Sequence, residues 1–215
     1  MRRLVCVTVV AVIVIGVGQI RASNLLVNGD FELGNTGFSS DYTFAPEGNQ
    51  AASEYSVTTD PKLWNTDGAT RSYGDHTTGL GKMLVVNGAT TPSFTVWSET
   101  IGVTQDTNYE FGGWLSTWSW VAPVANLSVS INGVALGSFY TPNYGGGWQP
   151  FSVAWNSGSS NSAIVKFTDI ETAAGGNDFA IDDLRFTTVP EPSTLALLGV
   201  GSLGLLGWAW RRFRS

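Results

Sequence analysis

The chain has 215 residues, 43% of them apolar and only 13% charged, with a formal net charge of −6. Between residues 23 and 188 five Lys/Arg stand against 16 Asp/Glu, a net charge of −11, and a surface of that sign repels nucleic acid and anionic lipid. The single cysteine, Cys6, lies in the amino-terminal apolar segment, so no disulfide can form within the remaining domain.

Residues 1–22 read as a secretory signal. Arg2 and Arg3 precede an apolar run from Leu4 to Val17, and Ala22 supplies a small residue at the expected cleavage point. The alternative is an uncleaved membrane anchor, because Arg21 sits within the cleavage region. Export without disulfides leaves core packing, and a bound cation, to hold the fold.

Residues 23–188 are of ordinary size for one domain. Asn24 to Leu33, NLLVNGDFEL, is expected to give a short strand over Leu25–Val27, a turn at Asn28-Gly29, and then the carboxylates Asp30 and Glu32 around Phe31. From Gly34 to Thr70 the text is rich in Gly, Asn, Ser, Thr and Asp, which predicts long loops between brief strands. GDHTTGLGKMLVVN, from Gly74 to Asn87, places Asp75 and His76, the only histidine, before a strand over Met83–Val86.

Strands then follow at close spacing: Phe94–Val103, Tyr109–Thr117, Leu127–Ile131, Val134–Tyr140, Phe151–Trp155 and Ala163–Ile170, with a hairpin turn at Asn132-Gly133. Leu127, Val129 and Ile131 alternate with Ser128 and Ser130, as in a strand covered on one face and wet on the other. No convincing amphipathic helix interrupts them. The pattern predicts an all-β protein, a jelly-roll β-sandwich.

The last strand is GNDFAIDDLRF, Gly176 to Phe186, which alternates Phe179, Ile181 and Leu184 with small or acidic residues. Its two adjacent acids, Asp182 and Asp183, are expected to point to opposite faces, so that one of them risks burial. An ionised carboxylate is costly to bury unless it is paired, hydrogen-bonded or bound to a metal.

After Thr188 the text changes. Pro190, Glu191 and Pro192 hold an extended junction, Leu195 to Trp210 is apolar apart from Gly and Ser202, and Arg211, Arg212 and Arg214 follow. At about 1.5 Å per residue the segment 194–210 is just long enough for a transmembrane helix whose arginines remain cytoplasmic. These three features in this order resemble the PEP-CTERM sorting signal. The resemblance implies processing by an exosortase in a Gram-negative bacterium that makes extracellular polysaccharide, with inner-membrane anchoring before processing and the cell surface or matrix as destination.

The domain resembles the MAM-like branch of the galactose-binding-like jelly rolls through NGDFE at Asn28–Glu32, DHTTGLGKM at Asp75–Met83 and FAIDDLRF at Phe179–Phe186. In that family these segments meet at a structural cation, usually calcium. By position, the resemblance assigns Glu32, Asp75 and one of Asp182 or Asp183 as side-chain ligands, with Asp183 preferred, and backbone carbonyls near Asp30 or His76 complete the shell. A set of oxygen donors suits calcium better than zinc. Solvated surface carboxylates are the alternative.

Trp118-Ser119-Trp120 puts two indoles on one face if the segment is a strand, and such a pair could stack on sugar rings, although most aromatics of a sandwich are core. Catalysis is not expected. His76 has no second histidine or cysteine to work with, no GxSxG elbow is present, and the acids that can be placed are already assigned to the cation. The expectation is a non-enzymatic exported protein of the cell surface or extracellular matrix, associated with polysaccharide or adhesion. The alternative is a carbohydrate-binding module with a defined glycan.

Overall fold

The structure is a computed structural model that describes residues 22–46, 48, 51–143, 147–189, 201 and 204. The expected signal up to Arg21, the junction residues Pro190, Glu191 and Pro192, and all of the expected helix 194–210 except Gly201 and Gly204 lie outside the described residues. Among the described residues no helix is long and apolar enough to cross a membrane.

Ten strands form two sheets. The larger has the order β1 (Thr43–Phe44), β2 (Glu54–Thr58), β3 (Met83–Asn87), β10 (Asp178–Thr188), β5 (Asn108–Thr117), β8 (Gln149–Asn156). The smaller has the order β4 (Phe94–Gly102), β9 (Ser162–Asp169), β6 (Asn126–Ile131), β7 (Val134–Tyr140). Every pairing is antiparallel except β1 with β2. This is the jelly-roll sandwich that the strand pattern predicts. Asn132 and Gly133, both at positive φ (51° and 79°), make the tight β6–β7 hairpin.

The inner faces of the two sheets enclose the main core. Phe111 on β5 stacks on Trp97 of β4 and meets Phe151 of β8 and Phe167 of β9 edgewise or at a tilt. Phe179, Ile181, Leu184 and Phe186 are the contribution of β10. The step from Ile181 to Leu184 spans three residues instead of two. There the register of β10 against β5 shifts between Asp182 and Arg185, and Asp183 takes a φ of +49°, so the strand carries a β-bulge.

The amino-terminal segment forms no strand, contrary to the expectation for Leu25–Val27. It docks instead beside the bulged half of β10: Leu25 N–H donates to Phe186 O (2.9 Å) and Leu184 N–H to Gly29 O (2.8 Å). The Asn24 side chain donates to Leu184 O and accepts from Phe186 N–H. β3 pairs β10 only over Asp178–Ile181, so this irregular segment supplies backbone partners where β3 has ended.

The outer face of the larger sheet is also covered. Helix α1 (Pro61–Trp64), capped by the Asp60 side chain on Lys62 N–H, belongs to a loop laid over β3 and β10. Trp64, Met83, Val85, Trp118 and Ala180 form a second buried cluster beneath it.

Candidate functional site

Asp182 faces this covered side, opposite Trp114 on β5, and is fully buried. Its Oδ2 accepts from His76 N–H (2.8 Å) and its Oδ1 from Asp183 N–H (2.7 Å). Burial pushes the Asp182 carboxyl up to about 7; those two bonds oppose the rise, while the nearby charges of Asp183 and Asp75 add to it.

The bulge corrects the pleat argument. A regular strand would send the Asp183 side chain away from Asp182, yet Asp183 reaches the same turn. Its Oδ1 accepts from Thr77 Oγ1 (2.7 Å) and its Oδ2 lies 2.6 Å from His76 Nδ1. Both acids therefore grip the Asp75–Thr77 turn, Asp182 through backbone and Asp183 through side chains.

Asp75 organises that turn. Its carboxylate accepts from the N–H groups of Thr77 (3.0 Å), Thr78 (3.0 Å) and Gly81 (2.8 Å) and from Thr78 Oγ1 (3.1 Å). Burial works against ionisation here, but hydrogen bonds from Thr78, Gly81 and Thr77 outweigh it and hold the Asp75 carboxyl below its ordinary value.

Glu32 arrives from the amino-terminal loop. Asn28, at φ +60°, ties that loop down by donating to Gly34 O and Thr36 O and accepting from Leu33 N–H, which buries Phe31 and turns Glu32 outward. Glu32 Oε1 accepts from Lys82 N–H (2.8 Å), and Lys82 Nζ donates to Glu32 O (3.0 Å). A Cβ on Gly81 would overlap Glu32 Oε1 and lie 3.0 Å from Asp75 Oδ2. The two carboxylates therefore converge over Gly81, where a larger residue would have to displace the Glu32 side chain.

The structure thus joins the three motifs: Glu32 with Asp75, and Asp75 with Asp182 and Asp183. The donors are all oxygen, which suits a hard cation in kind. Among the described residues, however, no three His, Cys, Asp or Glu side chains are gathered closely enough to hold a metal ion. His76 serves as a positioning group. Its ring stacks on Trp114 at 3.8 Å and 17°, lies edge-on to Trp148, and is bonded to Asp183.

Trp118 and Trp120 do not form the expected platform. β5 ends at Thr117, and the chain beyond it pairs with the upstream loop, Trp118 O accepting from Arg71 N–H (2.9 Å) and Trp120 N–H donating to Ala69 O (3.0 Å), so the loop covers the first indole and leaves the second outside. Trp118 is 2% exposed, donates Nε1–H to Val86 O (3.0 Å) and packs edge-on against Trp64. Trp120 is 53% exposed, with the Arg71 guanidinium 3.9 Å above its ring.

The aromatic group at the site that sequence reasoning missed is Trp114. It is half-buried in the middle of β5, two residues along from Gly112, over which the Arg185 guanidinium lies. The signal was the outward parity of residues 110, 112 and 114, set by the inward Phe111 and Leu115.

Residues 188–213 match the PEP-CTERM protein-sorting motif. Among curated proteins none matches the chain. Two solved structures from Fischerella sp. TAU share the fold. One is a cyclase in complex with 4-(1H-indol-3-yl)butan-2-one, at 11% identity and TM-score 0.55, covering 80% of this chain and 100% of that one. The other is the Stig cyclase Fisc, at 10% identity and TM-score 0.54, covering 80% and 99%. TmCBM61 in complex with beta-1,4-galactotriose is similar at 14% identity and TM-score 0.49, over 78% and 100%. These likenesses concern the fold alone.

Proposed function

We propose that the protein is an exported, non-enzymatic component of the cell surface or extracellular matrix whose jelly roll associates with extracellular polysaccharide or supports adhesion. The observation that carries this reading is the position of the sorting motif, which begins at Thr188, the last residue of β10. What the motif delivers is therefore the sandwich itself. In this reading residues 1–22 direct export, residues 23–188 are the working domain, and residues 189–215 hold it at the inner membrane through the helix 194–210 until an exosortase acts. The absence of catalysis is supported by His76, whose Nδ1 is engaged by Asp183 and whose ring lies against Trp114, while the nearby Thr77 hydroxyl donates to Asp183.

Deleting Leu195–Ser215 should move the protein from the inner-membrane fraction to the periplasm or medium, and the full-length protein should be retained by the polysaccharide of the producing cell. Truncated and full-length proteins in one compartment would defeat the anchoring, and a folded protein that no extracellular polysaccharide retains would defeat the association. A second reading, a carbohydrate-binding module with a defined glycan ligand, is favoured by the half-buried Trp114 beside Arg185.

The same reading includes a structural calcium ion held by Glu32, Asp75 and Asp183, with Asp182 as the alternative to Asp183. Its support is the convergence of Glu32 and Asp75 over Gly81 and the meeting of the first and last motifs at one turn. The ion would neutralise carboxylates that otherwise repel one another, and these residues would supply its oxygens.

A further inference from the structure

Resting on the polysaccharide association proposed above and naming its site, we infer that the depression between the amino-terminal segment and the bulged half of β10 binds a pyranose without an acidic group. Trp114 is its stacking plane and Arg185 its main hydrogen-bond donor. The depression has a volume of about 460 Å³ and is lined by Trp114, Arg185, Asp183, Asp30, Asn24 and Gly29 among others. That lies within the range of small-molecule sites, roughly 300–1,000 Å³.

Three features make this a built surface. His76 stacks on Trp114 at 3.8 Å but does not line the depression, so the indole is clamped from one side and presented on the other. A ring held in this way loses little freedom when a ligand stacks on it.

The guanidinium of Arg185 comes next. It spreads over Gly112, where a Cβ would lie 3.1 Å from its Nη2 and 3.2 Å from its Cζ. One contact goes to Glu110 Oε1 (3.2 Å), and the side chain, with five N–H donors, is 41% exposed. Gly112 and Trp114 are two residues apart on one strand, so the guanidinium and the indole share a face one pleat apart.

Local charge chooses among sugars. Asp30 lines the depression and Glu110 borders it, against Arg185 as the one arginine there, so the balance is negative even with Asp183 neutralised by the calcium proposed above. A uronate carboxylate would meet net repulsion, while hydroxyl groups can donate to the carboxylates and accept from Arg185. Asn24 and Asn28 are committed to backbone groups and serve as walls.

The test is calorimetric titration of the purified full-length protein with galactose, glucosamine and glucuronate, together with Trp114→Ala and Arg185→Gln. Arg185→Gln changes a substantially exposed side chain and guards against misfolding of the tryptophan variant. Galactose should bind saturably, at least tenfold tighter than glucuronate, and each variant should weaken it at least tenfold. Undiminished binding in folded Trp114→Ala and Arg185→Gln overturns this site, as does glucuronate binding most tightly. Polysaccharide retention that both variants leave intact removes the site but keeps the association, whereas a wild-type protein that no polysaccharide retains removes both.

Discussion

Two buried carboxylates show how the same fold treats the same chemical group in opposite ways. Asp169, at the end of β9, is fully buried and receives donors from four segments: the Tyr42 hydroxyl (3.0 Å), Ala89 N–H (3.2 Å), the Asn177 amide (2.9 Å) and Glu171 N–H (3.1 Å). Burial raises its carboxyl to about 6, with those bonds pulling the other way. Asp182 is equally buried, but it has two backbone donors and two acidic neighbours, Asp183 and Asp75. The first carboxylate is held by four neutral donors, the second by two donors beside two like charges. The difference separates a joint held by many donors from a carboxylate that burial and two like charges leave strained toward its protonated form.

The comparison breaks first at Asp169. Its replacement by alanine removes the acceptor of the Tyr42 hydroxyl and of Glu171 N–H and one acceptor of the Asn177 amide, while Ala89 N–H keeps the Tyr42 oxygen, at about 1–3 kcal/mol for each unsatisfied group. A loss of at least about 3 kcal/mol is expected in chemical denaturation, with no dependence on calcium. A variant as stable as the parent would show that Asp169 joins nothing.

At the other carboxylate the expected response is to metal. Saturating calcium should raise the melting temperature and chelator should lower it, by the equivalent of about 2–3 kcal/mol if the ion is present near 100 times its dissociation constant. Asp183→Asn, or Asp182→Asn if that acid is the ligand, should blunt the response, and Gly81→Ala should do so by displacing Glu32. Melting curves identical with and without chelator, from protein that carries no metal by elemental analysis, would remove the calcium site.

A third test concerns Asp178, at the other end of the outward face of β10. Burial pushes its carboxyl up to about 7, opposed by hydrogen bonds from Ser119 and Gly88 and assisted by the charges of Asp67 and Asp169. Because the folded value lies above the ordinary one near 4, the unfolded chain releases its proton first as pH rises, and the stabilisation present at low pH is lost between about pH 4 and pH 7. Each tenfold difference in proton affinity between the folded and unfolded chain is worth about 1.4 kcal/mol, so the decline is on the order of a few kcal/mol at most. The raised carboxyls of Asp169 and Asp182 add to it and the lowered ones of Asp41 and Asp75 oppose it. Asp178→Asn should flatten this part of the stability profile. An unchanged profile in the variant would show that Asp178 does not couple folding to pH.

The smallest effect is expected at Trp120. Trp120→Ala removes an exposed ring and its contact with Arg71, about 0.5–1 kcal/mol, and should leave galactose binding unchanged. Loss of sugar binding in this variant would move the glycan site to the loop that follows β5.

The strand text was legible because apolar runs stand between clear turn signals, with one-faced alternation in β6 and β9 and burial on both faces in β3. Those runs marked β3 to β10 to within a residue or two of their ends, and the composition of residues 34–70 announced a long loop region. The bulge was legible too: the inward residues Phe179 and Ile181 keep a period of two, and Leu184 and Phe186 resume it one residue late. A strict reading of that break would have placed an extra residue beside Asp182 and withdrawn the claim that the two acids must diverge.

Trp118 was misjudged for a different reason. Its N–H still donates to Asp178 O on β10 (3.3 Å) and its indole keeps the outward parity of Trp114, but the outer face is itself covered at that point. No periodicity in the text says that a loop far upstream covers Met83, Val85 and Trp118 from outside.

By itself, then, the sequence determined the sandwich, its strand boundaries, the sorting motif and which acids belong to the three motifs, since these depend on local pattern and on residue type. Only the tertiary structure decided that Asp182 and Asp183 hold one turn, that Glu32 and Asp75 meet over Gly81, and that His76 fixes Trp114 beside Arg185. Those relations join residues 32, 75, 114 and 183, and their distances are set by sheet register and a single bulge, quantities that no local stretch of chain contains.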